Sequence, residues 1–113
     1  MVLRMDNDTA AVPRTAGLPT HTRVLVIGAG FGGLGMAIKL AEAGEQDFLV
    51  VERGPDVGGT WRDNTYPGAA CDVPSQLYSF SFAPNPHWRA LNAGQAEIKA
   101  YLERTTDDLG LRP

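Results

Sequence analysis

Apolar and polar positions follow three different rhythms along the chain. The first apolar run is Arg23–Gly28, RVLVIG, rich in β-branched residues and without strict alternation. Such a run predicts a strand buried on both faces, as in a parallel sheet. From Gly33 to Ala43 the positions Leu34, Ala37, Ile38 and Ala41 recur at helical spacing, and Gly44 is placed to stop the helix. Asp47–Glu52, DFLVVE, is a second apolar run and a second predicted strand. Strand, helix and strand within about thirty residues make a βαβ unit, right-handed in nearly all cases.

After Glu52 the periodicity stops. Residues 53–89 are punctuated by glycine, proline, asparagine and serine, as in RGPDVGGTW and NTYPGAACDVPS. Both tryptophans, Tyr66, Tyr78, Phe80 and Phe82 lie in this stretch, which predicts an ordered, functional loop rather than disorder. Residues 95–109 return to helical spacing, with Ile98, Tyr101, Leu102, Thr105 and Leu109 on one face and Gly110 as the stop. Residues 1–22 show no periodicity and predict a flexible arm. The expected fold is therefore α/β, a partial Rossmann-like FAD/NAD(P)-binding fold over residues 23–113: a βαβ unit, a long irregular segment and a further helix. Two parallel strands leave unpaired edges, so association through those edges is expected.

The glycines between first strand and helix sharpen this picture. Gly28, Gly30 and Gly33 stand in a G-x-G-x-x-G frame, with Ala29, Phe31 and Gly32 between them. In a dinucleotide site the first glycine turns the chain off the strand. The second lets backbone approach a pyrophosphate, and the third lets the helix pack close to the sheet. The helix N-terminus then presents N–H groups and a partial positive charge to the phosphates. Glu52, 24 residues after Gly28, is placed to accept hydrogen bonds from the adenosine ribose. The competing reading is a glycine-rich turn in an ordinary α/β protein, with Glu52 a solvated strand end. Arg53 is open to two readings as well. An arginine there can hold the 2′-phosphate of NADP, or be a solvated cation beside a carboxylate that repels that phosphate. The glycine frame alone does not separate NAD from FAD.

Composition removes other classes of function. The chain has 113 residues, 10 basic and 13 acidic, for a net charge of −3, and no Lys/Arg cluster, so nucleic acid is not an expected partner. One cysteine, Cys71, leaves no internal disulfide and no all-cysteine metal site. His21 and His87 lack ligand-like spacing, so no metal is expected. The longest apolar run is too short to span a bilayer, and the N-terminus lacks a signal-peptide core. A cytoplasmic protein without a membrane partner is expected.

The stretch DVGGTWRDNTYPGAACDVPSQLYSFSF separates the cofactors. It resembles the segment after the second strand in flavin-dependent monooxygenases of the Baeyer–Villiger type. There a GGTW-like element follows the ribose-binding acid, then Y-P-G, C-D and a serine–tyrosine–phenylalanine stretch. Gly58, Gly59, Thr60, Trp61, Tyr66, Pro67, Gly68, Cys71, Asp72, Tyr78, Ser79 and Phe80 match. The resemblance runs from about Arg23 to the last residue. It implies FAD as the dinucleotide, with Gly58 and Gly59 close to it, Trp61 and Tyr66 walling the flavin site, and Thr60 and Tyr78 among the cofactor-binding residues. It implies that Asp72 is an active-site acid near the flavin, paired with an arginine from elsewhere; Asp72 also reads as a turn residue before Pro74, and Trp61 as core filling.

In the resembling enzymes NADPH reduces the flavin, which activates O2 for insertion beside a ketone carbonyl, giving an ester or lactone. Those enzymes carry a second glycine motif for NADPH and an F-x-G-x-x-x-H-x-x-x-W element, neither of which stands in this sequence. The expectation is an N-terminal FAD-binding segment of such an enzyme, inactive alone. A fragment of a flavin-containing N- or S-monooxygenase, a stand-alone dinucleotide module and an inactive remnant are the alternatives.

Overall fold

The computed structural model describes residues 2–4, by their backbone, and residues 18–111. Strands β1 (Val2–Arg4), β2 (Val24–Ile27) and β3 (Phe48–Glu52) form one parallel sheet in the order β1–β3–β2. Val24 to Ile27 pair with Phe48 to Val51, and Val2 to Arg4 with Val50 to Glu52. Of the arm expected over residues 1–22, residues 5–17 lie outside the described residues, while Val2–Arg4 runs as a strand. An open edge of β3 offers it a row of ladder hydrogen bonds.

Helix α1 (Phe31–Glu42) joins β2 to β3 and buries Leu34, Ala37 and Ile38. These pack with Val50 in the core, which Val26 and Phe48 also touch. The helix thus begins two residues before the predicted Gly33, and Ala41, predicted to face the core, is exposed. The two-sided burial expected for the first strand does not hold. Leu25 is 53% and Ile27 82% exposed, whereas their register partners Leu49 and Val51 are buried. An apolar run announces two buried faces only where a second layer lies over both. Here α1 covers the Val26 side, and the Leu25–Ile27 side of β2 stays open.

The irregular segment is packed, as its aromatic content predicts. It contains the short helix α2 (Thr60–Asp63) and one 3-10 turn at Ser75–Leu77. The predicted last helix is α3 (Gln95–Asp108), which buries Ile98, Tyr101, Leu102, Thr105 and Thr106. Leu109 lies past its end and is half exposed. The Tyr101 hydroxyl accepts the Phe80 N–H at 2.8 Å and donates to the Ala83 carbonyl at 2.7 Å. Phe31, Phe80 and Trp88 gather around its ring. The Gln95 side-chain amide donates to the Trp61 carbonyl and ties α3 to α2.

Ser75 is the polar pin of this segment. It is fully buried, accepts the Ala93 N–H at 2.7 Å, and faces the Ala90 and Leu91 carbonyls at 2.9 Å each. Ser75→Ala is expected to cost about 1–3 kcal/mol, because it leaves the Ala93 N–H buried without a partner. Denaturant unfolding of the two proteins measures the difference; equal midpoints would show that the loop re-pairs without the hydroxyl.

Candidate dinucleotide-binding site

The site is built where β2 turns into α1. Gly28 has φ +93°, a conformation that side-chain-bearing residues rarely adopt, and its N–H donates to the Val51 carbonyl at 2.7 Å. A Cβ on Gly33 would overlap the Gly28 carbonyl, so α1 reaches the strand this closely only with glycine there. Gly30 is different. A Cβ on Gly30 would meet Gly59 Cα at 3.6 Å, an ordinary contact, and one on Gly32 would meet nothing within 4 Å. The chain's own packing does not require these two to be bare, and Gly30 lines an open pocket. Gly30 is also the N-cap of α1, with no side-chain cap and no acid in the first turn. The first intrahelical bond runs from Leu34 N–H to the Gly30 carbonyl at 3.0 Å. No side chain of the helix's own cap or first turn therefore competes with a phosphate at this end.

A second glycine turn backs onto the first. The Gly58 N–H donates to the Ala29 carbonyl at 2.9 Å, and a Cβ on Gly59 would come within 3.0 Å of Gly30 Cα. Gly59 then opens α2, which delivers Thr60, Arg62, Asp63 and Asn64 to the rim of the pocket.

Glu52 closes the site from the end of β3. It is only 6% exposed. Its Oε2 accepts the Ala29 N–H at 2.7 Å; its Oε1 accepts the Gly54 N–H at 2.6 Å and faces Arg62 Nη1 at 3.0 Å. Burial works against the charge, but the Ala29 and Gly54 N–H bonds, then Arg62, outweigh it and hold the carboxyl below its ordinary range. The Asp63 carboxylate, ahead of Glu52, holds the Arg62 guanidinium firmly protonated against the effect of burial.

The pocket thus brings together Gly28, Gly30, Glu52, Arg53, Gly59 and Thr60, with Ala29 contributing its N–H from beneath. Gly33 serves packing. Phe31 sets its ring edge-on to Tyr78, centroids 5.2 Å apart. Trp61 is buried in the core, and its indole N–H lies 3.1 Å from the Tyr78 hydroxyl. Tyr66 and Asp72 are exposed and do not line this pocket. Sequence reasoning missed Arg62. Its signal was faint: a charged residue directly after a tryptophan that the core takes, hence turned to another side of the helical turn.

A glycine turn from a first strand into an uncapped helix, answered by a buried acid at the end of a parallel second strand, defines a Rossmann-type dinucleotide-binding unit. The chain belongs to the NAD(P)-binding Rossmann-like domain family, whose model matches residues 26–93. It is 64% identical over 93 residues to a Baeyer–Villiger monooxygenase of Streptomyces coelicolor, a match covering 82% of this chain and 18% of that protein. Among solved structures it is similar to a cyclohexanone monooxygenase variant from Rhodococcus bound to NADP+, with TM-score 0.77 and 39% identity over 83% of this chain and 19% of that one. It is also similar to OTEMO in complex with FAD and NADP, with TM-score 0.74 and 36% identity over 80% of this chain and 18% of that one. The resemblance read from the YPG and CD elements is borne out. The chain spans less than a fifth of the length of these relatives, in their N-terminal part.

Proposed function

We propose that this chain binds the ADP half of FAD as the N-terminal segment of an NADPH-dependent monooxygenase of the Baeyer–Villiger type. The observation that carries the reading is the bare Gly30 at the uncapped start of α1, facing a pocket whose far wall is Glu52. The residues fit the cofactor: the helix N–H groups and the glycine turn bind the pyrophosphate, and Glu52 receives a ribose hydroxyl. When bound, the flavin carries electrons from NADPH to O2 for insertion beside a ketone carbonyl. Trp61 and Tyr78 support the flavin side from the core, and Arg53 stands at the mouth as a solvated cation. NADPH, the ketone and the flavin-facing arginine are held by other parts of the polypeptide. No helix among the described residues is long and apolar enough to cross a membrane. We place the protein in the cytoplasm, without nucleic acid. The open edge and face of β2 are where another part of the polypeptide, or another copy, pairs.

The test is FAD retention by the polypeptide through gel filtration, read by flavin absorbance. Retention is expected, with NADP+ failing to displace it; tighter binding of NADP+ than of FAD to this segment would overturn the assignment.

Asp72 extends the reading. It precedes Val73-Pro74 and is exposed, free to meet an arginine brought by the rest of the enzyme. Its role there is charge placement, orienting that arginine toward developing negative charge. Asp72→Ala in the whole monooxygenase is expected to keep bound FAD, yield less oxygenated product per NADPH and release more hydrogen peroxide. Wild-type coupling would make Asp72 a turn residue only.

A further inference from the structure

Arg62 is buried deeply for a residue on a surface helical turn. Its side chain is 10% exposed and its partners come from three segments. Nη1 faces Glu52 Oε1 at 3.0 Å on β3 and also donates to the Asp56 carbonyl in the following turn. Nε and Nη2 donate to the two Asp63 oxygens at 2.7 and 2.9 Å. A Cβ on Gly54 would overlap the guanidinium, so the turn after β3 is shaped around this head group. The fork geometry and fixed charge of arginine suit such a junction, where a lysine would supply one point charge.

The count of acceptors around Glu52 then has a consequence for ligand binding. An ionised carboxylate offers about four lone-pair positions, two on each oxygen. Two donors, Gly54 N–H and Arg62, occupy Oε1, while Ala29 N–H alone occupies Oε2. One position is left among the described residues, on Oε2, and Glu52 lines the pocket. We infer that Arg62 is a positioning residue: it locks the Glu52 carboxylate so that a single oxygen, Oε2, is presented to one ribose hydroxyl of a dinucleotide. This rests on the dinucleotide reading above and goes beyond it. Glu52 makes one ribose bond rather than a two-oxygen clasp, and its readiness to accept that bond depends on Arg62, which is bonded to the other oxygen.

Glu52 faces few other charges. Arg53 follows it and lines the same pocket; Asp56 lies in the next turn; Arg62 and Asp63 come from α2. Arg4 is its register partner on β1. The Arg62 guanidinium meets the carboxylate directly, and it opposes the cost of burial. Without it, Glu52 takes up a proton at higher pH and stops accepting at the freed position.

The experiment compares wild type, Arg62→Gln and Arg62→Lys in the same polypeptide, using ADP as the probe. Carbon-13 NMR of the Glu52 carboxyl gives its titration directly, without ligand. Arg62→Gln is expected to raise the Glu52 midpoint by about one unit or more, and Arg62→Lys to restore part of the shift. The ratio of wild-type to Arg62→Gln affinity, in which the titration of ADP's own phosphate cancels, is expected to stay level near neutral pH and to widen toward the roughly tenfold that one unit represents as pH falls below about 5. An unchanged Glu52 midpoint, or an ADP loss equal at every pH, would make Arg62 scaffold alone and overturn the inference. If Arg62→Gln does not fold, the Arg62→Lys comparison still decides it: a wild-type pH profile supports charge-based positioning, and a uniform loss refutes it. Absence of ADP binding by the wild type would sink the dinucleotide reading and the ribose assignment with it, whereas the Glu52 titration judges the Arg62–Glu52 lock by itself.

Discussion

Gly33→Ala is expected to unfold the β2–α1 junction, while Gly30→Ala, three residues earlier, leaves the fold standing and weakens dinucleotide binding. The two glycines look alike in sequence and meet different things in space. A methyl on Gly33 runs into the Gly28 carbonyl, which is backbone and anchored to β3 by the Gly28 N–H bond to Val51, 2.7 Å long. Relief requires α1 to lift off the strand, parting Leu34, Ala37 and Ile38 from Val50. Overpacking of this kind costs about 1–3 kcal/mol, and more where the obstacle is backbone. For a domain of this size each kcal/mol lowers the melting point by roughly 4–8 °C. A methyl on Gly30 meets Gly59 Cα at 3.6 Å, a normal contact, and its φ of −83° suits any residue. Its effect falls on whatever approaches the start of α1, where the loss is expected to be at least about tenfold in FAD affinity, one unit of 1.4 kcal/mol. Thermal melts and FAD titrations on the two variants separate the effects. A stable Gly33→Ala protein, or full affinity in Gly30→Ala, would break the division of roles.

Glu52→Ala is expected to lose on both counts at once. In binding it removes a charge-assisted hydrogen bond to the ribose, about 1.5–3 kcal/mol. In folding it orphans the Ala29 and Gly54 N–H groups and takes from Arg62 one of its two carboxylates. Removing one partner of a buried ion pair costs about 3–5 kcal/mol, and the Asp63 oxygens that Arg62 keeps place this case near the lower end. The sign with pH follows from the lowered Glu52 carboxyl. Its stabilising contribution is complete above the ordinary value of 4.5 and is lost as pH falls through the lower folded value. The stability gap between wild type and Glu52→Gln is therefore expected to stay level from neutral pH down to about 5 and to close only in more acid solution. Denaturant unfolding across that range measures it. A gap that closes already near neutrality would mean that burial, not the donors, governs Glu52.

The strand–helix–strand order, the helix faces of α1 and α3, and the glycine turn with its answering acid were legible in the chain, because each is written in neighbours a few residues apart. Leu34, Ala37 and Ile38 must share a face at helical spacing. Glycine three places into a turn toward a helix signals close packing before any coordinate is known. What lay beyond local pattern was what each surface met. Leu25 and Ile27 are as apolar as buried residues and stand exposed, because burial needs a second layer and no spacing records whether one is there. Val2–Arg4 joined the sheet although its surroundings carried no periodicity, because ladder bonds depend on a free edge far along the chain. Arg62 escaped notice for the same reason. Its partners on β3 and in the following turn converge only when α2 folds back over Glu52, and a buried ion pair is a property of that convergence rather than of the residues' order. The sequence by itself determined which backbone could turn, coil or extend. Only the tertiary structure decided which charges were desolvated together, since electrostatics acts across space and is indifferent to distance along the chain.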